Sequence, residues 1–241
     1  MNFLDQLIKQ KAEQISYNQT EISNIAKSSN HLRDIIKNQS DFNHSFIGGS
    51  YKRGTLVKGI SDIDIYYKYT GEGNPQTALT RLKNCLLQAY PNSEIKQDKP
   101  SILVDFQRIP FNITPFKIYS GNKNIPSSSL QTWQQINLES LEDTVKKLRE
   151  KDNDYIFLIK IIKFWNIKRG IGLKNFKIEQ NICNFFLSQN YTKNKNMSDW
   201  MWEFYMNNNF KKDANIIFSL MKNNYSNQEL KNEWLNFIEN R

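Results

Sequence analysis

The stretch Phe46-Ile47-Gly48-Gly49-Ser50-Tyr51-Lys52-Arg53-Gly54-Thr55-Leu56-Val57-Lys58-Gly59-Ile60-Ser61-Asp62-Ile63-Asp64-Ile65-Tyr66-Tyr67 decides how the chain is read. A β-forming run over 45–48 ends in two glycines and a serine, and a short helix is expected over 50–56. Gly48 and Gly49 let backbone approach a phosphate with no Cβ in the way, while the Ser50 hydroxyl and the first helical amides can donate to phosphate oxygens. Eleven residues after Ser50, Ser61-Asp62-Ile63-Asp64 opens a second run of strand formers. Strand period two places the Asp62 and Asp64 carboxylates on one face and sends Ile63 and Ile65 the other way, into the core. Two like charges on one face are destabilising until a cation offsets them, and a hard divalent ion takes carboxylate and phosphate oxygens together. A triphosphate cradle beside a metal site is therefore expected, with Lys52, Arg53 and Lys58 flanking it as countercharge.

Outward from this stretch the periodicity changes twice. Residues 2–14 and 19–38 carry apolar positions at helical spacing, predicting two leading helices. Strand texture then occupies 45–48, 62–69, 94–97, 101–106 and 110–118, interrupted by a helix over 75–90 with Pro75 near its start and Leu79, Leu82, Leu86 and Leu87 on one face. The Gly-, Asn-, Pro- and Ser-rich segment 119–136 reads as a long connection. Everything after Asn137 is helical in pattern, with later helices near 180–190, 198–208, 211–222 and 226–239 whose many aromatics suit a core. An α/β (α+β) fold follows: a mixed-sheet lobe with its leading helices over residues 1–136, a helical lobe over 137–241, and an active cleft expected between them.

Composition bounds the partners. The 241-residue chain is 39% apolar and 24% charged, which suits a folded protein, and its net charge of +9 favours polyanions such as nucleotides, nucleic acid or an anionic membrane surface. Cys85 and Cys183 lie in helical segments without metal-ligand spacing and read as buried thiols of a reducing compartment. His31 and His44 are the only histidines, so a histidine-rich metal site or a Ser-His-Asp triad has little material. Residues 1–15 lack a signal-peptide layout, and no run approaches the roughly 18 apolar residues of a membrane span. A soluble cytoplasmic protein is the expectation.

With Gly-Gly-Ser-Tyr-Lys-Arg-Gly-Thr and Ser-Asp-Ile-Asp in hand, the chain resembles the polymerase-β-type nucleotidyltransferase superfamily. Within it the chain is most similar to the branch of oligoadenylate synthases, cyclic GMP-AMP synthase and bacterial cyclic-oligonucleotide synthases (CD-NTases). Archaeal CCA-adding enzymes have a similar core motif. Further along, Ile125-Pro126, Trp133 and Asn137 resemble the family's Ile-Pro, Trp and Asn-Pro connection, although Leu138 replaces the proline. Lys163-Phe164-Trp165 resembles its Lys-aromatic-Trp helix, and the run from Lys174 to Glu179 its helix start ending in Glu. The resemblance implies that Gly49 and Ser50 hold the phosphates of an NTP such as ATP, that Asp62 and Asp64 ligate Mg²⁺ (or Mn²⁺), and that Lys163 is a phosphate contact. Lys160 shares a helical face with Lys163, opposite a buried face of Phe157, Ile161, Phe164 and Trp165. Tyr66 is a candidate to stack on a base.

The family also supplies a third aspartate from a neighbouring strand, to deprotonate the attacking hydroxyl. Here that position, in Ile109-Pro110-Phe111-Asn112-Ile113-Thr114-Pro115, holds Asn112. An amide can offer one oxygen but accepts no proton and brings no charge. Three readings stay open: Asp105 supplies the carboxylate, an aspartate has been replaced to trap substrate, or the protein binds nucleotides without joining them. A two-residue loop between the strands at 101–106 and 110–116 would put Asp105 on the face of Asn112, and a three-residue loop would turn it away. The function implied is a nucleotidyltransferase making cyclic or short oligonucleotide messengers with release of pyrophosphate, as in antiphage signalling, with an effector or regulator protein as partner. The alternatives are a non-catalytic nucleotide- or RNA-binding module and an enzyme adding nucleotides to a tRNA end. No zinc-binding insertion of the DNA-sensing kind is visible.

Overall fold

The computed structural model describes residues 2–106, 108–137, 139–151, 153–188 and 195–239; Leu138 and the end of the helix expected over 180–190 lie outside them. In chain order the elements begin α1 (Phe3–Gln14), α2 (Gln19–Lys37), β1 (Phe42–Ile47), α3 (Gly49–Arg53), β2 (Ile63–Tyr69) and α4 (Pro75–Ala89). Next come β3 (Ile95–Asp98), β4 (Ser101–Phe106), β5 (Ile109–Tyr119), β6 (Asn122–Pro126) and β7 (Trp133–Gln135). The helices α5 (Glu139–Lys151), α6 (Asp154–Lys168), α7 (Asn175–Ser188), α8 (Met197–Asn207), α9 (Lys211–Lys222) and α10 (Asn227–Glu239) complete the order.

The chain forms two compact units. One comprises Asn18–Gly54 and Ser61–Ser140, the other Met1–Tyr17, Thr55–Ile60 and Leu141–Arg241. The sequence pattern divides the chain at 136/137; in space α1 and Thr55–Ile60 belong to the helical unit. The packing explains this, since Leu4, Leu7, Ile8, Ala12, Ile15 and Val57 are buried in one cluster with residues of α5–α10. The backbone N–H of Lys58 also donates to the Ile15 carbonyl (2.8 Å).

The first unit is a mixed sheet ordered β1-β2-β5-β4-β3, with β6 paired to β5 and β7 to β6. Among the described residues only the β2–β5 pairing is parallel. Capping fixes where its helices begin: the Asn18 side chain accepts from the Glu21 N–H and the Glu21 side chain accepts from the Asn18 N–H, while Asn74 caps α4 ahead of Pro75. In β2 the residues Ile63, Ile65, Tyr67 and Tyr69 are buried, as are Ile102, Val104, Phe111 and Ile113 of β4 and β5. With Ile25, Leu32 and Ile36 of α2 and Leu79, Leu82 and Leu86 of α4 they form the core of this unit. Each such side chain contributes roughly 1.5–3 kcal/mol, so a one-residue slip of β2, which would exchange its faces, is strongly disfavoured. That burial holds Asp62 and Asp64 on the opposite face.

Three local expectations change. Leu87 turns out of the α4 face and is exposed. The connection expected over 119–136 contains β6 and β7, because Ser120 (φ 47°) and Gly121 (φ 79°) both take left-handed conformations. They make the two-residue turn that lets Tyr119 pair with Asn122. The helix expected over 50–56 stops at Arg53, where Gly54 (φ 72°) caps it.

In the helical unit α6 is apolar almost all round: Tyr155, Leu158, Ile159, Ile161, Ile162 and Trp165 are buried. Such a helix belongs in the middle of a bundle rather than on its surface. The aromatics of the later helices, among them Trp200, Phe204, Tyr205, Trp234 and Phe237, are buried around it. Both cysteines are buried thiols that form no disulfide with each other. Among the described residues no helix is long and apolar enough to cross a membrane.

Candidate active site

The sheet register assembles the site in the first unit. Asp64 pairs with Asn112 across the parallel β2–β5 ladder, and Asn112 pairs with Leu103 of β4, which pairs with Lys96 of β3. One row on the open face therefore reads Asp64, Asn112, Leu103, Lys96. Continuing each register by one residue gives a second row of Asp62, Pro110, Asp105 and Glu94. The hairpin between β4 and β5 has the two-residue loop, since Phe106 pairs with Ile109. Asp105 thus shares the face of Asn112 but lies in the Asp62 row, two strands away, about 9–10 Å. It does not stand beside Asp64.

Behind Asp64 lies the glycine turn. The Gly48 N–H donates to the Asp64 carbonyl (3.0 Å), which sets the end of β1 against β2. Gly49 has φ 64°, and a Cβ placed on it would fall 1.8 Å from Asp64 Oδ2. Only glycine both takes this conformation cheaply and leaves room for the carboxylate. Ser50 and Arg53 are buried next in line.

On its other side Asp64 Oδ1 accepts the Nδ2–H of Asn112 (3.2 Å). This leaves the enclosed Asn112 Oδ1 without a hydrogen-bond partner. Asp62 keeps contact with solvent, yet the protein around its carboxyl, and then the charge of Asp98, hold it above the usual aspartate range. A carboxyl in this state, beside a second carboxylate and an orphaned amide oxygen, suits a hard cation with phosphate oxygens completing its shell. Among the described residues no three His, Cys, Asp or Glu side chains gather to hold a metal by themselves. Asn112, the strand partner of Asp64, is an amide and adds no carboxylate to the pair.

A cavity of about 220 Å³ adjoins Asp62 and is lined by Glu94, Lys96, Leu103, Asp105 and Pro110 among others. Glu94 and Lys96, two residues apart on the same strand edge, form an exposed ion pair at its rim. Sequence reasoning missed both, although the alternation of 94–97 would have put them on the site face once the register was known.

The remaining site candidates divide. Tyr66 lies on the carboxylate face, its ring stacked on Phe46 (centroids 5.0 Å apart). Lys163, expected to contact phosphate, is fully enclosed in the helical unit, where it pairs with Glu179 and its Nζ–H donates to the Thr55 carbonyl (3.0 Å). The Thr55 hydroxyl donates to the same Glu179 oxygen (2.9 Å). A lysine on a buried helix can keep its charge only beside such a partner. These three residues tie down the chain immediately after the cradle helix α3. Lys160 donates to Ser16 Oγ (2.8 Å), and burial, then the Lys163 charge, hold its ammonium below the usual lysine range.

Residues 1–152 match the family model of the Second Messenger Oligonucleotide or Dinucleotide Synthetase domain, SMODS. The chain belongs to this family. A cyclic AMP-AMP-AMP synthase of Acinetobacter sp. is 26% identical to this SMODS chain over 174 residues, which is 66% of the chain and 50% of that protein. The chain spans about half the length of the curated relatives it matches. Among solved structures, the E. coli MS115-1 CdnC:HORMA-deltaN complex gives a TM-score of 0.76 at 14% identity, over 97% of this chain and 96% of that one. E. coli MS115-1 CdnC with ATP gives 0.70 at 14% identity, over 97% of each chain. These likenesses establish that the SMODS chain has the CD-NTase fold.

Proposed function

We propose that this chain is a nucleotidyltransferase that joins NTPs with release of pyrophosphate, making a cyclic or short oligonucleotide messenger of the kind its SMODS relatives are named for. The observation that carries it is the Asp64 carboxylate held between the Cβ-free Gly49 and Asn112, with Asp62 on the same face. In this reading Gly49 and Ser50 receive the triphosphate, and ATP is the first substrate to try, since one similar structure is a complex with ATP. Asp62 and Asp64 would hold Mg²⁺ or Mn²⁺, which supplies charge neutralisation on the transferring phosphoryl group. Asn112 orients the acceptor hydroxyl through its free amide oxygen and takes no proton from it. The cavity beside Asp62, with Asp105 and Glu94 in its wall, is the space this reading assigns to the acceptor. The setting is the cytoplasm, where NTPs and reduced thiols coexist. A protein regulator is part of the proposal, by likeness to the HORMA-deltaN complex.

A second reading is a nucleotide-binding module that does not turn over. The Asn112 Nδ2–H donated to Asp64 favours it, because this hydrogen bond occupies the metal-facing carboxylate with a neutral neighbour. One experiment separates the two. Labelled NTPs with Mg²⁺ or Mn²⁺ are incubated with the chain, with Asn112→Asp, and with Asp62→Asn/Asp64→Asn as the blank. Short products from the parent chain, stronger in Asn112→Asp, are expected. Saturable ATP binding by both with product from neither would establish the binding module, and product from the blank would remove Asp62 and Asp64 from the chemistry.

A further inference from the structure

The helix-covered face of the same sheet carries a second cavity, of about 360 Å³, lined by Asn24, Lys27, Ser28 and His31 of α2 and by Phe106 at the end of β4. Spacing and register bring these side chains together. Asn24, Lys27, Ser28 and His31 recur at helical spacing and form one stripe along α2. Phe106 follows Ile102 and Val104, both buried in the core, at strand period two, so it lies on the face opposite Asp62 and Asp64. The two walls meet at their rings. The His31 and Phe106 centroids are 5.6 Å apart, and Tyr90, just past α4, packs against both, at 6.1 and 5.2 Å. His31 is exposed and Phe106 half-buried, so each keeps ring surface open to the cavity.

The chemistry of this cavity divides along the helix. At the His31 end stand two ring walls, on which a planar heterocycle can stack. One turn towards the start of α2, about 6 Å along the axis, comes the Lys27 ammonium, and beyond it the Asn24 amide. Among the described residues neither has an ion-pair or side-chain hydrogen-bond partner. Both present N–H donors. Among the described residues no carboxylate lines the cavity, so an anion placed at this end meets donors and no opposing charge. The volume falls within the range of about 300–1,000 Å³ usual for small-molecule sites. A flat ring joined to an anion across about 6 Å is the layout of a nucleotide, in which the ribose bridges base and phosphate.

We propose that this cavity binds a nucleoside monophosphate unit, its base against His31 and Phe106 and its phosphate at Lys27 and Asn24, either as a free nucleotide or as the end of a short oligonucleotide. The site is independent of the proposed nucleotidyl transfer, since it lies on the other face of the sheet and uses neither Asp62 nor Asp64. Its test is made without divalent cations so that the two cannot be confused.

The chain has two histidines, one in this cavity and one outside it. Adenosine 5′-monophosphate is titrated into the full chain while the imidazole resonances of both are followed by NMR, with a His44→Gln variant to assign them. Saturable movement of the His31 signals is expected, with His44, which pairs with Lys68 on the carboxylate face, unmoved. Lys27→Gln, at an exposed position of α2, is expected to weaken binding about tenfold, and Phe106→Leu severalfold. Because the Lys27 ammonium has no partner in the fold, its replacement tests the site whether or not Phe106→Leu folds normally. Adenosine and inorganic phosphate, each carrying half of the recognised unit, should bind at least about tenfold more weakly. Asp62→Asn/Asp64→Asn should leave the titration unchanged. Repeating it with the linear dinucleotide 5′-pApA identifies the source, tighter binding marking an oligonucleotide end and equal binding a free nucleotide. No saturable change at His31, parallel movement of His44, undiminished binding in Lys27→Gln, adenosine binding as tightly as its monophosphate, or loss of binding in Asp62→Asn/Asp64→Asn would each overturn the proposal.

Discussion

At the scale of a single residue, the proposed function makes Asn112 the point where stability and reactivity compete. In the absence of a cation its Nδ2–H neutralises one oxygen of Asp64, whereas an aspartate there would place a second negative charge within about 3 Å of the first. Asn112→Asp should therefore lower the melting temperature of the cation-free chain, by the equivalent of roughly 1–3 kcal/mol. It should also enlarge the rise in melting temperature that Mg²⁺ with a non-hydrolysable ATP analogue produces, through linkage. Differential scanning calorimetry of both forms, with and without Mg²⁺ and analogue, reads the two effects; a variant unchanged in both would mean that position 112 does not face the cation. The strand placing of this residue was legible from sequence, as was the common face of Asp62 and Asp64, because strand parity is a local property; that Gly49 takes a left-handed φ and leaves room for the Asp64 carboxylate was not, because it depends on how β1 meets β2. Nor was the environment of Lys163. Its surroundings come from Thr55 and Glu179, far apart in sequence, and a lysine at helical spacing gives no sign of which face of its helix will be enclosed.

At the scale of elements, the buried Lys163–Glu179 pair joins α6 to α7 and both to the segment after α3. Breaking one partner leaves a buried charge alone, so Lys163→Met and Glu179→Leu should each cost about 3–5 kcal/mol, while the double variant should recover most of that. Urea titrations of the four forms give the coupling directly; additive losses would show that the charges do not depend on each other. A second helix contact makes stability depend on pH. The buried Asp5 of α1 accepts the backbone N–H of Ser198 of α8 (2.9 Å), but burial is the larger influence and raises its carboxyl above the usual value of 3.8. The folded chain then holds this proton more tightly than the unfolded chain. Its contribution to stability is full below 3.8 and is lost as pH rises through the folded value. Asp5→Asn keeps the acceptor oxygen and should melt higher than the parent at pH 7, the gap narrowing as the pH falls towards 4; a gap independent of pH would exclude Asp5 as its source. Most elements were legible because apolar periodicity carries them. The β5–β6 hairpin was not, since Ser120-Gly121 lies in a stretch whose composition alone reads as a loop, and only paired strands reveal its turn. The central position of α6 was hidden for a related reason, since a helix apolar on all sides presents no stripe to orient.

At the scale of the whole molecule, a net charge of +9 leaves open whether RNA is a substrate or only an attracted polyanion. The two differ in their response to salt. Non-specific binding to a nucleic acid backbone releases counterions, and with several contacts it loses orders of magnitude in affinity between about 50 and 200 mM salt. Nucleotide joining in a glycine-turn and carboxylate site depends instead on short-range contacts, which salt screens far less. If the chain joins free NTPs, labelled ATP incubated with Asn112→Asp and a tRNA transcript at about 200 mM salt should still give short oligonucleotides. The transcript should keep its length, and its retention by the protein at about 50 mM salt should disappear at the higher concentration. Extension of the transcript by labelled nucleotides at about 200 mM salt, with no short product, would instead make the basic surface part of a substrate site and establish an RNA-end transferase on this fold.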